Sequence, residues 1–289
     1  MMMFSDVLLT VDFDRTFTGP DSVVPQRNLE AVDFFMKNGG SFTINTGRST
    51  ASFHKYLGKL PVNAPVLMYN GSARWENGKL KDLKVLDLNL WETIRAVRKE
   101  FPQMNLEIQG ANCHYLIDPH PDYTAFYNTL KWDYQIPRQG DDLGPFLKFS
   151  LAGTPRANAV STLFDATPQE EAEFDAAQAR ILELWGDRVV VYRAAPRIID
   201  VHAKGVSKIA AARQLQQDLG KKILVCAGDA ENDIPMLEGA DYAFCPADSI
   251  VADRFPNVCN CGDGAIADVI YKKIPEILGF HLDISGEVC

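Results

Sequence analysis

No apolar run in this 289-residue sequence approaches the length of a membrane span, and its MMMFSD start lacks the basic and long apolar regions of a secretory signal. A membrane partner is therefore not expected. Cysteine is sparse: Cys113, Cys226, Cys245, Cys259, Cys261 and Cys289 are too scattered in so large a chain to form a disulfide framework. Cys259 and Cys261 make a CNC pair with no second pair at zinc-site spacing, so they read as ordinary reduced thiols in a loop, and a reducing cytoplasm is the expected compartment. His54, His114, His120, His202 and His281 show no metal spacing either. Positive charge is in deficit, 29 Lys and Arg against 38 Asp and Glu, a net charge of −9. That argues against a general nucleic-acid or membrane-surface binder, which needs a basic face, while leaving room for a local anion pocket. Neither GxxxxGK[ST] nor GxGxxG follows a strand, which disfavours a nucleotide-dependent kinase or a dehydrogenase. No internal repeat or low-complexity tract is visible.

What is present describes a globular protein with a sizeable core: 46% of residues are hydrophobic and 23% charged. Both ends show βα alternation. VLLTV (7–11), SFTINTGR, VLMY (66–69), RIIDV (197–201) and ILVCA (223–227) read as strands. A helix is expected over 25–37, with Leu29, Val32, Phe35 and Met36 as its apolar stripe. Another follows Ser207 and closes at Gly220. Ser49 can cap a third helix, and ARWENGKL reads as a hairpin turning at Asn77-Gly78. Short βα units imply a parallel sheet with helices on both faces. The middle, 84–192, differs. It holds one amphipathic helix with Trp91, Ile94, Val97 and Phe101. A second opens on the capping box Thr167-Pro168-Gln169-Glu170 and carries Phe174, Ala177, Ile181 and Trp185. Strands around CHYLI and FLKFSLAG lie between them. This predicts an α+β unit, 84–192, inserted into an α/β domain made of 1–83 and 193–289.

Residues 11–16, VDFDRT, pose the chemical question. Asp12 and Asp14 end a buried strand on one side of the backbone, where two ionised carboxylates repel. A solvated acidic turn accounts for the pattern, as does a shared proton or a cation. Three further polar stretches fall at strand ends or a helix start: Thr46-Gly47-Arg48, Ser207-Lys208 and Gly228-Asp229-Ala230-Glu231-Asn232-Asp233. In an open parallel sheet ligands collect at the carboxyl ends of the strands. Each stretch alone is a weak signal. Together they aim carboxylates, a hydroxyl and a cation at one edge.

In this order, DFDRT, NTGR, VSK and GDAENDIPML resemble the four motifs of the haloacid dehalogenase (HAD) superfamily of phosphatases. An insert between the second and third motifs is similar to the Cof-like branch, and DGAIADVI (263–270) looks like its closing helix. The resemblance implies an α/β fold, a Rossmann-like parallel-sheet HAD core with an inserted α+β cap domain. It implies a Mg²⁺-dependent phosphatase for a small phosphorylated metabolite, with a sugar phosphate as one candidate, and with Asp12 as nucleophile and Asp14 as proton donor and acceptor. Asp12 and Asp229 would ligate Mg²⁺ through carboxylates and Asp14 through its carbonyl, with Asp233 orienting them. Alternatively Asp233 merely caps the helix IPMLEG. Thr46, Gly47, Lys208 and Asn232 would hold phosphate. Arg48 would reach substrate or brace its loop. Asn70 is a possible substrate contact, although Asn70-Gly71 also reads as a plain turn. Lys204 rivals Lys208, and His114 with Tyr115 could face substrate or be structural. Most relatives carry Gly where this chain has Arg15. The alternatives are a phosphomutase of the phosphomannomutase type and a catalytically silent binding protein on the same scaffold. Oligomeric state and the cap residues that touch substrate have no readable code.

Overall fold

The computed structural model describes residues 2–111, 113–156 and 165–282; Cys289 lies outside them. In chain order its first elements are β1 (Val7–Val11), α1 (Gln26–Lys37), β2 (Ser41–Ile44), α2 (Thr50–Phe53), β3 (Val66–Met68), β4 (Ala73–Glu76) and β5 (Lys79–Lys81). Then come α3 (Leu90–Glu100), β6 (Asn105–Gly110), β7 (His114–Ile117), α4 (Pro121–Leu130), β8 (Tyr134–Gln135), β9 (Phe146–Ala152) and α5 (Pro168–Trp185). The last are β10 (Val189–Ala195), β11 (Ile198–Ala203), α6 (Lys208–Asp218), β12 (Ile223–Ala227), α7 (Ile234–Glu238), β13 (Tyr242–Pro246), β14 (Asn257–Val258), α8 (Ala265–Asp268) and α9 (Ile274–Leu278). No helix among the described residues is long and apolar enough to cross a membrane.

The chain divides into two compact units. The first comprises Met1–Thr46, Lys59–Lys79 and Ser207–Cys289. Its main sheet has the order β14-β13-β12-β1-β2, parallel throughout. β1 is an interior strand and wholly buried, as VLLTV, apolar but for Thr10, requires of a strand covered on both faces. Leu8, Leu224 and Cys226 pack against α6 and α7 through Ala212, Leu215, Met236 and Leu237. β3, β4 and β5 form a small separate sheet. Its hairpin turns at Asn77 (φ 51°) and Gly78 (φ 77°), the left-handed pair that a two-residue turn demands.

The second unit comprises Gly47–Gly58 and Leu80–Val206. Its six-stranded sheet has the order β10-β11-β9-β6-β7-β8. One face carries Leu106, Ile108, Phe149, Leu151, Ile199 and Val201 against Ile94 and Val97 of α3 and Phe174, Ala177 and Ile181 of α5. The capping box at Thr167 and Glu170 forms as expected at the start of α5.

Two expectations change. The strand read at 197–201 does not join the parallel sheet: β11 pairs antiparallel with β9 and β10. The antiparallel unit therefore extends to Val206, and 193–206 goes with it rather than with the core. An apolar strand has the same period in either sheet, so its pattern carries no information on its partner. The segment Gly47–Gly58, read as part of the core, also groups with the second unit.

Candidate active site

The site is built at the carboxyl end of β1. Asp12 leaves the strand with its N–H still donating to Ala227 O of β12 (2.9 Å). The chain then makes one wide helical turn. Phe17 N donates to Asp12 O (3.2 Å) and Thr18 N to Phe13 O (3.0 Å), both spanning five residues. Within this turn Arg15 takes a left-handed conformation (φ 57°, ψ 11°). That conformation disfavours any residue with a Cβ by about 1 kcal/mol, and glycine is exempt. We expect Arg15→Gly to raise the melting temperature of the metal-free protein by one or two degrees, from about 0.5 kcal/mol of relieved strain. A lower melting temperature would mean that the exposed Arg15 guanidinium stabilises the turn by more than its backbone costs.

Lys208, first residue of α6, is the hub. The residue is 2% exposed, and its ammonium donates to Asp12 Oδ1 (2.5 Å) and Asp233 Oδ1 (2.6 Å). Ser207 fixes the helix start, its hydroxyl accepting from Ala210 N (3.1 Å). Asn45 Nδ2 donates to the Lys208 carbonyl (2.9 Å). Asp233 Oδ2 accepts from Asp229 N and Ala230 N (3.1 Å each). It makes no cap bond to α7, so the simple helix-capping role is not what its side chain does. Thr16 Oγ1 donates to Asp229 Oδ1 (3.0 Å). Carboxylate oxygens of Asp12, Asp229 and Asp233 all lie within 4.8 Å of one another.

The charge balance is strongly negative. Burial lifts Asp12 well above the ordinary carboxylate range. Lys208 opposes this, and Asp233, Asp229 and Asp14 add to it. Burial and then Asp233 push Asp229 up to about 7, against the Thr16 hydroxyl, Lys208 and Arg15. Burial disfavours the Lys208 ammonium, but Asp12 and Asp233 outweigh it and hold this group above the usual lysine value. Several buried acids thus face one buried base, which calls for protons or a further cation. Hard oxygen donors at this spacing fit Mg²⁺. Asp12 and Asp229 are the ligand candidates. Both Asp233 oxygens already accept hydrogen bonds, which suits it to orienting its neighbours.

The structure places the other predicted residues as follows. Thr46 ends the path from β2, with its N–H donating to Leu67 O (2.9 Å) and its carbonyl accepting from Asn70 N (3.0 Å). Asn232 is half-buried beside Asp233. Asn70 is buried and left-handed (φ 54°), and Gly71 follows at φ +94°. A Cβ on Gly71 would stand 2.5 Å from the Ser207 carbonyl, so this turn is shaped by its close approach to the start of α6. Gly47 and Arg48 belong to the second unit. There the Arg48 guanidinium donates to Ser52 O (3.2 Å) and lies over the Tyr56 ring, bracing the loop. Lys204 is in that unit too, exposed and bonded to Gly186 O (3.0 Å).

Sequence reading missed two supports. Asn45 has no separate signal inside NTGR, and Gly228 reads only as a strand stop. A Cβ on Gly228 would meet the Asp233 side chain at 2.6 Å, so the glycine makes room for that carboxylate. The GD pair before a carboxylate four residues on was the available signal.

The fold agrees with comparison to known proteins. Residues 9–251 match the family model described as haloacid dehalogenase-like hydrolase. The chain belongs to that family, as its Cof-like motifs imply. Solved structures share the fold at low identity. The protein SMU.1108c from Streptococcus mutans UA159 superposes with a TM-score of 0.75 at 17% identity, over 91% of this chain and 97% of that one. The HAD subclass IIB sugar phosphatase BT4131 gives 0.72 at 16%, over 94% and 98%. The phosphatase BT1666 from Bacteroides thetaiotaomicron gives 0.70 at 17%, over 96% of each chain.

Proposed function

We propose that this hydrolase is a Mg²⁺-dependent phosphatase of a small phosphorylated metabolite, with a sugar phosphate as the leading class. The observation that carries the reading is the buried Asp12–Lys208–Asp233 chain beside Asp229, at the carboxyl edge of the parallel sheet. The fold is shared with a structure described as a sugar phosphatase, which supports the choice of class.

In this reading an Asp12 carboxylate oxygen attacks phosphorus, the ester oxygen leaves, and an aspartyl-phosphate forms. Asp14 gives the leaving oxygen its proton and then takes one from the water that cleaves the intermediate. Lys208, Thr46, Gly47 and Asn232 hold the phosphoryl oxygens, and Asp233 keeps Lys208 charged and oriented. Mg²⁺, held by Asp12, Asp229 and the Asp14 carbonyl, would supply charge neutralisation for the transferring group. The antiparallel unit would act as the cap that selects the leaving group. The direct test is a panel of phosphorylated metabolites assayed for phosphate release with Mg²⁺ and with EDTA. Release that EDTA does not diminish would refute the metal's part, and isomer formation without release would point to a mutase.

Asp229 makes a linked prediction. A carboxyl whose folded pKa lies above its unfolded value contributes stability fully below the unfolded value and loses it as pH rises through the folded one. With Asp229 at about 7, the metal-free protein should lose stability as pH rises from 4 toward 7. Mg²⁺ should restore it increasingly over the same interval, because binding displaces the proton. Asp229→Ala should flatten both curves and weaken Mg²⁺ binding by about a hundredfold. Thermal melts against pH with and without Mg²⁺ read all three. A metal-induced shift undiminished in Asp229→Ala would remove this residue from the ligand set.

A further inference from the structure

The second face of the antiparallel sheet is polar and yet buried. Three neighbouring strands place Glu107, Ser150 and Asp200 in one cross-strand row and Gln109, Lys148 and His202 in the next. All six are at most 6% exposed. Lys148 Nζ pairs with Asp200 Oδ2 (2.7 Å), whose other oxygen accepts from Ser150 Oγ (2.6 Å). A buried ion pair contributes little stability over an apolar pair of the same volume, so its presence calls for a further reason. The remaining contact supplies one: Lys148 Nζ also donates to the carbonyl of Gly47 (3.2 Å). Two more tethers act on the same short stretch. The Ser49 hydroxyl is bonded to His114 Nε2, and His114 Nδ1 in turn to the Tyr127 hydroxyl. Thr50 Oγ1 donates to Ala111 O (3.1 Å). Residues 47, 49 and 50 are thus each held by the antiparallel unit, directly after Thr46.

We propose that Lys148, oriented by Asp200 and Ser150, is a positioning residue that sets the backbone of the Thr46-Gly47-Arg48 turn. This rests on the reading that Thr46 and Gly47 hold the phosphoryl group. Gly47 lacks the Cβ that would restrict its own ψ, so its peptide direction must be set from outside. The Gly47 carbonyl and the Arg48 N–H share one rigid peptide plane. Pinning the carbonyl to the Lys148 ammonium therefore fixes where that N–H points, and narrows the conformations open to the Gly47 N–H before it. Lys148 itself does not act on the substrate's leaving group in this scheme.

Inorganic phosphate separates these roles, because it has no leaving group. In Lys148→Met the inhibition constant of inorganic phosphate and the KM for p-nitrophenyl phosphate should both rise about tenfold, with kcat changed less than about threefold. Amide hydrogen exchange across residues 46–50 should quicken in the ligand-free protein. The double variant Lys148→Met, Asp200→Leu removes both members of the buried ion pair together, guards against a folding failure of the single variant, and should show the same shifts. A folded variant with an unchanged phosphate constant would overturn the proposal, as would a KM that rises alone, the mark of a leaving-group contact. Unchanged exchange across 46–50 would overturn it as well. Should the wild-type protein bind no phosphate, the phosphatase reading fails, while exchange still decides whether Lys148 orders the turn.

Discussion

Asp12→Asn should abolish phosphate release, lowering kcat by at least about a thousandfold, while the protein becomes no less stable. The amide keeps the shape of the carboxylate and an oxygen for the Lys208 ammonium, but its oxygen is a far weaker nucleophile. The stability half of the expectation follows from the charge balance. Asp12 is buried beside Asp229, Asp233 and Asp14, and its own charge is disfavoured there by burial and by those neighbours. Removing it from the metal-free protein relieves that repulsion, so the melting temperature should hold or rise at pH 8. Rapid-quench experiments should find no phosphorylated protein in the variant and a transient one in the wild type. Wild-type turnover from an Asp12→Asn protein of verified intact mass would end the covalent mechanism.

The second large effect is expected at Lys208. Replacing it by Met leaves Asp12 and Asp233 buried without their shared cation, and breaking a buried pair in this way typically costs about 3–5 kcal/mol. The loss should be greater at high pH than at low, because the Asp12 carboxyl, which burial holds well above the ordinary carboxylate range, takes up a proton as the pH falls. Mg²⁺ should recover part of it by supplying positive charge to the same carboxylates. Activity should fall by about a thousandfold or more even where the variant is folded, because both a phosphate ligand and the tie that orients Asp12 are gone. Calorimetric melts at pH 5 and 8, each with and without Mg²⁺, test the pattern. A variant equally stable at both pH values would show that Asp12 carries no surplus charge at the higher one.

Much of this site was legible because its residues sit where backbone geometry is most constrained. Asp12 follows a short run, apolar but for Thr10, that reads as a buried strand. Lys208 follows a serine that caps a helix, and Asp229 follows a glycine that stops a strand. These are local signals, and the structure keeps all three in one unit. What escaped was everything set by partner choice. The sequence RIIDV does not say whether its neighbours run parallel or antiparallel. The alternation Leu106-Glu107-Ile108-Gln109 looks like a strand with one wet face, yet Glu107 and Gln109 are buried. Periodicity records which side chains share a face and is silent on what covers that face. Asn45 and Gly228 were missed for a related reason: one holds a carbonyl distant in sequence and the other provides room, and neither leaves a periodic trace.

The passage of Gly47–Gly58 into the antiparallel unit has a consequence for how this chain folds and how it can be cut. The backbone moves between the two units at 46/47, 58/59, 79/80 and 206/207, so the first unit is assembled from three pieces of chain and the second from two. β1 must find β12 more than two hundred positions away, after the whole antiparallel sheet has been synthesised. Such distant pairing makes for slow folding, with this interior strand waiting on the last third of the chain. It also sets the design of any minimal core. Excising 80–206 would strip residues 47–58 of the partners that hold them, so a surgeon's single cut there removes more than it seems to. A deletion that also replaces 47–58 with a short polar linker would be the one expected to emerge as a soluble, cooperatively melting domain.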